Sequence, residues 1–245
     1  MVEPSPRVSL FKAKIRDLFR NEALYCRVLK IPKHDHVYTC GEKDSAIYFI
    51  DRGQIKLTFL SPEFKECIVA IRTDDDIFGE ACLYGQTTRN ETAIAMQTTT
   101  VRKVSSQRFM MLLKRESLLE ELIQYLAAQV VHQQEVISSL LTANSEQRLA
   151  MNLLQLGRRL GTSDSGNMCI EQKLSQEELA KMVGTTRTRV GVFLKRFRAR
   201  GFIGLDGKNR ITIEENKLSD FISHFTMAAG GGNGQVQAMD VAPNM

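Results

Sequence analysis

The chain has 245 residues, 43% of them hydrophobic and 25% charged, the composition of a globular protein with one large domain or two ordinary ones. Its longest apolar runs, near Leu122 to Val131 and Ile137 to Leu141, fall far short of the ~20 residues of a bilayer span. No basic-then-apolar signal opens the sequence, so a cytoplasmic location with no membrane partner is expected. The net charge of +5 is unevenly placed: residues 1 to 142 hold 19 Lys+Arg against 18 Asp+Glu, whereas residues 143 to 225 hold 14 against 9. A basic C-terminal third fits a polyanion partner, with nucleic acid, an anionic membrane and a solvated surface all open on charge alone.

In chain order, residues 1 to 9 read as disordered and Leu10 to Leu24 as a short amphipathic helix. Short β-rich runs follow at Arg27 to Ile31, Ala46 to Ile50, Gln54 to Leu60, Glu66 to Arg72, Thr92 to Gln97 and Thr100 to Val104. Gly41, Gly53, Gly79 and Gly85 fall where tight turns need positive φ. Many short strands without a long helix between them predict a sandwich or roll. At Ser106 the period changes to 3.6, and a long helix is predicted over about Ser117 to Ala143. Leu119, Ile123, Leu126, Val130, Gln133, Ile137, Leu140 and Asn144 form a heptad seam along it, facing either its own domain or a partner helix.

A further helix over Gln147 to Leu160 ends at Gly161, and Thr162 to Asn167 reads as a loop. Ser175 and Glu178 form a capping box that starts a helix at Gln176, and Gly184 stops it. The next helix starts under Thr185 or Thr186 and runs to Arg200, with Gly201 as its stop. Two helices joined by a short Gly-containing turn make a helix-turn-helix, and Asp206-Gly207 between β-prone arms makes a hairpin wing behind it. The tail from Ala228 to Met245 reads as flexible.

The second helix of the pair carries Arg187, Arg189, Lys195, Arg196, Arg198 and Arg200, with no acid between Thr185 and Gly201. Such a helix is either solvated or faces phosphate. Thr186, Arg187, Thr188 and Arg189 open it, the part that reaches base edges when such a helix enters the major groove. Arg187 could make the bidentate contact to guanine O6 and N7.

Two segments resemble a known family. FGEACLYGQTTRNETAIA, Phe78 to Ala95, looks like the phosphate-binding cassette of cyclic-nucleotide-binding domains. SQEELAKMVGTTRTRVGVFLKRFRARGFI, ending at Ile203, looks like the helix-turn-helix of the CRP/FNR superfamily, and the similarity runs from about Tyr25 to Phe221. The resemblance implies an α+β chain: an N-terminal segment with a short helix (1–24), a double-stranded β-roll sensor (25–110), a long dimerisation helix (111–144), a winged helix-turn-helix (145–226) and a flexible tail (227–245). It implies a non-enzymatic transcription regulator that acts as a homodimer on a pseudo-palindromic operator in double-stranded DNA, with RNA polymerase as a further partner.

The recognition helix departs from the best-known cyclic-AMP-responsive members. Where they offer Arg, Glu and, four residues later, Arg, this chain has Arg187, Thr188 and Val192, so a different operator is expected and a thymine methyl becomes a target for Thr188 and Val192. In the cassette, Gly79, Glu80 and Arg89 keep the family's spacing, and the adjacent Asn90 is a further candidate for the effector. Glu80 would accept a ribose hydroxyl and Arg89 would pair with a cyclic phosphate of a mono- or dinucleotide. The small residue usual two places after the arginine is Glu91. If its carboxylate points inward it repels the phosphate; the alternative is that Glu80 and Arg89 form a structural ion pair in a sensor without a nucleotide. Gln133 or Gln134 would read the base across the dimer, or Gln133 would fix the seam's register. Five scattered cysteines (Cys26, Cys40, Cys67, Cys82, Cys169) and the positions of His34, His36 and His132 give no expected metal, haem or iron–sulfur site.

Overall fold

The computed structural model describes residues 6–21, 26–63, 65–164 and 167–230. It divides into two compact units, the first built on residues up to Ala143 together with Ala180–Gly184, and the second on the rest from Asn144. The first opens with α1 (Pro6–Asn21). Pro6 is pre-organised for a first helical turn, so residues 6–9, expected to be disordered, belong to this helix. Phe11, Ile15, Leu18 and Phe19 recur along α1 as one buried stripe.

Eight strands follow: β1 (Arg27–Ile31), β2 (His36–Tyr38), β3 (Ala46–Arg52), β4 (Ile55–Leu60), β5 (Glu66–Arg72), β6 (Ile77–Phe78), β7 (Thr92–Ala95) and β8 (Thr99–Ser105). They form two antiparallel sheets, ordered β1-β8-β3-β6 and β2-β7-β4-β5. The run Ile47, Tyr48, Phe49, Ile50 in β3 is apolar throughout because both its faces are covered. Tyr48 and Ile50 join Ile55, Leu57, Phe78, Ala93 and Val101 in one buried cluster. Ile47 and Phe49 join α1 and the helices that follow in a second. Gly41, Gly53, Gly79 and Gly85 all take positive φ, as expected. The short β2 and β6 were not foreseen: β2 begins just after His34, which takes φ 73, and β6 has two residues, so neither leaves a legible alternation.

The long helix read over about Ser117 to Ala143 is present as one helix, and a separate shorter helix precedes it, so the 111–144 segment implied by the resemblance takes in the end of that first helix. α2 (Ser106–Arg115) starts under the Ser105 side chain, which accepts from the Arg108 N–H. It ends because Ser117 takes φ 54 and the Leu118 N–H turns back to the Leu113 carbonyl, 2.8 Å away. Met111 to Arg115 therefore belong to α2, and the long helix proper is α3 (Leu119–Thr142). Leu122 and Tyr125 bury one face of α3 against α1, with Phe11 and Tyr125 rings 5.2 Å apart. The other face leaves Ile123 66%, Val130 51%, Ile137 56% and Leu140 50% exposed. No helix among the described residues is long and apolar enough to cross a membrane.

The second unit starts with α4 (Ser145–Leu160), fixed by a reciprocal capping box between Asn144 and Gln147. Then come β9 (Gly161–Asp164), β10 (Asn167–Ile170), α5 (Gln176–Val183), α6 (Arg187–Ala199), β11 (Ile203–Leu205), β12 (Ile211–Glu214) and α7 (Glu215–Gly230). The sheet order is β11-β12-β10-β9. The expected loop at Thr162 is instead strand β9: Thr162, Ser163 and Asp164 pair with Cys169, Met168 and Asn167, a ladder that a polar sequence does not announce. Ala228 to Gly230, expected to be flexible, continue α7, and the rest of that tail lies outside the described residues.

Candidate nucleic-acid interface and effector site

The helix pair is built as its caps predict. The Ser175 and Glu178 side chains cap α5 reciprocally, and the Thr186 hydroxyl accepts from the Arg189 N–H to start α6. Gly191 lets the two helices approach: a Cβ there would stand 3.1 Å from Gln176 Oε1. Val190, Leu194 and Phe197 form the buried side of α6. Thr186, Arg187, Thr188, Arg189, Val192, Lys195, Arg196, Arg198 and Arg200 are all exposed. Two of them already have protein partners. Arg196 Nη1 donates to Glu146 at 2.6 Å, and the Arg200 guanidinium lies 6.0 Å from the centre of the Phe221 ring. In the wing, the Asp206 carboxylate accepts from the backbone N–H groups of Lys208 and Arg210 and from Arg210 Nε at 2.7 Å. The Arg210 backbone bond, first among these, holds its pKa at about 2.

The cassette runs from β6 through a single 3-10 turn, Glu80–Tyr84, to β7. Gly79, at φ 81, is constrained twice: its backbone is left-handed, and a Cβ would stand 2.7 Å from Arg89 Nη1. Arg89 is 4% exposed, donates from Nη1 to the Gly79 carbonyl at 2.8 Å, and pairs through Nη2 with Asp44 at 3.0 Å and the Ala46 carbonyl. Its guanidinium lies over the Tyr38 ring, 4.3 Å from the centroid. Asp44 also accepts from the Tyr48 hydroxyl at 2.7 Å and pairs with Lys103 at 3.1 Å. Burial works to raise its pKa, but the bonds from Tyr48 and Arg89 keep the carboxyl below its ordinary range.

Glu80 and Arg89 therefore do not form the structural ion pair weighed from the sequence. Glu80 pairs instead with Arg72 Nη2 at 3.3 Å, and Arg72 Nη1 donates to Gln129 of α3 at 2.7 Å. Sequence reasoning missed Arg72, which is 3% exposed at the end of β5; its parity with Ile68 and Ala70 is the signal that could have found it. Glu91 points inward, accepting from the Tyr38 hydroxyl at 2.8 Å. Burial pushes its carboxyl up, the Tyr38 bond opposes that, and the nearby Glu80 charge adds to it. Asn90, Gln133 and Gln134 are exposed and take no part in this cluster.

Comparison with known proteins gives both halves a family. The model of the cyclic nucleotide-binding domain matches residues 28–116, and that of the Crp-like helix-turn-helix domain matches residues 147–220. A CRP-like cAMP-activated global transcriptional regulator of Mycobacterium tuberculosis is 30% identical over 191 residues, covering 77% of this chain and 84% of the relative. The chain belongs to the CRP/FNR family. The CRP of Pasteurella multocida, named a cAMP-activated global transcriptional regulator, is 26% identical over 189 residues, 75% of this chain and 88% of that one. Among solved structures, a CooA mutant from Carboxydothermus hydrogenoformans shares the fold with TM-score 0.70 at 22% identity, covering 82% of this chain and 90% of that one. This CRP/FNR member is a DNA-binding transcription regulator whose N-terminal unit is an effector-sensing domain.

Proposed function

We propose that this regulator works as a homodimer joined along the exposed face of α3 and sets one α6 into each of two successive major grooves of a pseudo-palindromic operator. The half-site centres then lie about 10–10.5 base pairs apart or a multiple of that. The observation that carries the reading is the first turn of α6, where a Thr186 cap leaves Arg187, Thr188 and Arg189 exposed on a helix whose own sequence holds no acid. In this reading Arg187 reads a base edge, Thr188 and Val192 meet thymine methyls, and Lys195, Arg198 and Arg200 sit on phosphates. Arg196 contributes less, its charge being paired within the protein.

The effector is a cyclic mono- or dinucleotide held by Gly79, Glu80, Arg89 and Asn90, with Gln133 or Gln134 reaching it from the partner subunit. Named cAMP-activated relatives support a cyclic nucleotide, and a structural neighbour titled a c-di-GMP responsive regulator from Xanthomonas campestris supports the larger class. Binding shifts the population of dimer states toward the one that fits DNA. The protein has no catalytic role, resides in the cytoplasm and engages RNA polymerase at its operators.

Binding to a randomised operator library tests the assignment. Arg187→Ala is expected to lose discrimination at one base pair, at about 1–3 kcal/mol, while Arg198→Ala weakens all sequences alike. Uniform weakening by Arg187→Ala would remove it from the base-reading role.

A further inference from the structure

The buried cation Arg72 has no counterpart in the roles assigned so far. It stands between Glu80, the ribose acceptor of the proposed site, and Gln129 on α3, the helix from which the base is read. Its Nη groups hold Glu80 and Gln129, yet its Nε is buried with no hydrogen-bond partner among the described residues. A buried unsatisfied donor of this kind is costly unless something accepts from it. Gln129 is a neutral amide and the weaker of the two partners, so it can be exchanged for a ligand acceptor while the Glu80 ion pair stays.

We infer that Arg72 makes this site selective for a 6-oxopurine, guanine over adenine, by donating to O6 and N7. The inference rests on the cyclic-nucleotide reading above and deepens it. Arginine carries five N–H donors and no acceptor. Guanine presents two acceptors side by side at N7 and O6, a match to that fork, whereas adenine presents an N6 amino group that would meet Arg72 donor to donor. Glu91 adds to the preference as a carboxylate near Arg72 and Glu80, a partner for the N1 imino and 2-amino N–H groups that guanine carries and adenine lacks. The 6-oxopurine could arrive on a cyclic mononucleotide or on a cyclic dinucleotide, which present the same edge.

The test uses the full chain and four probes: cyclic GMP, cyclic IMP, cyclic AMP and cyclic di-GMP, titrated by calorimetry. In the unmodified protein, cyclic GMP is expected to bind about tenfold or more tighter than cyclic AMP, with cyclic IMP grouping with cyclic GMP because it keeps O6 and N7. Whether cyclic di-GMP or cyclic GMP binds more tightly then names the source of the base. Arg72→Lys keeps a cation beside Glu80 but loses the fork; it is expected to bring cyclic GMP down to the cyclic AMP level while moving cyclic AMP far less. A merely structural ion pair would instead leave the ratio of the two nucleotides unchanged in Arg72→Lys, and that result overturns the inference, as does an adenine preference in the unmodified chain, which needs no variant to fold. If none of the four probes binds, the nucleotide reading falls and this inference falls with it.

Discussion

Replacing Val130 and Ile137 together with lysine puts the proposed dimer seam to a quantitative test. On the single chain, Ile123, Val130, Ile137 and Leu140 each keep half or more of their surface in water. Burying the remainder of each is worth about half of the 1.5–3 kcal/mol of a fully buried side chain, or about 0.8–1.5 kcal/mol. Four such residues from each of two protomers give a gross gain of about 6–12 kcal/mol, against an association cost of about 4–15 kcal/mol. A seam of this size is near balance, so its loss shows. The double variant removes four of the eight side chains, about 3–6 kcal/mol, which weakens dimerisation by roughly two to four decades. Leu126 is left alone because it packs on its own domain's core, and changing it would confound folding with association. Sedimentation velocity across a concentration series reads the outcome, with circular dichroism confirming the helix. A dimer of unchanged stability would place the interface elsewhere and undo the argument from exposure.

Gly79→Ala is expected to lose about 1–2 kcal/mol from its left-handed backbone alone, and the displaced Arg89 should abolish anion binding. Calorimetric melting with and without ligand checks both, and a variant as stable and responsive as the parent would refute the packing account. Glu91→Gln keeps the acceptor for Tyr38 but removes a carboxyl whose folded pKa is raised, chiefly by burial. The folded state therefore holds this proton more tightly than the unfolded chain does. The charged carboxylate costs no stability below the ordinary pKa of 4.5, and the cost grows as pH rises from there through the raised value. The variant should gain on the parent as pH rises through that window; parallel stability curves would show that Glu91 titrates normally.

What the sequence made legible is what local chemistry decides. The Ser175 and Glu178 box, the Thr186 cap and the glycine turns act within four residues, and each stands where it was read. The longer strands of the roll were legible as short runs rich in β-branched and aromatic residues, separated by turn residues. Where pairing across the chain decides, reading failed. Thr162 to Asp164 are polar enough for a loop, and only the β10 ladder makes them a strand. Ser117 separates α2 from the long helix through a backbone conformation that no neighbouring Gly or Pro signals, so 111–115, grouped with the long helix by the resemblance, fall in α2. In the sensor, Gly79, Glu80 and Arg89 were singled out by likeness to the cassette, but the partners the structure gives them were not. Asp44 is 45 residues from Arg89, and Gln129 is 57 from Arg72, separations over which a sequence carries no contact.

The ion pair between Arg196 and Glu146 bears on how the regulator responds to salt. Affinity for duplex DNA grows through the release of condensed counterions, with a slope of about 0.9 for each phosphate neutralised. A guanidinium already neutralised by its own protein displaces no ion when it docks. A helix with six cations in its sequence is thus expected to register as five or fewer in an ionic-strength series, with Glu146 damping the non-specific grip on DNA while Arg187 stays unpaired with it.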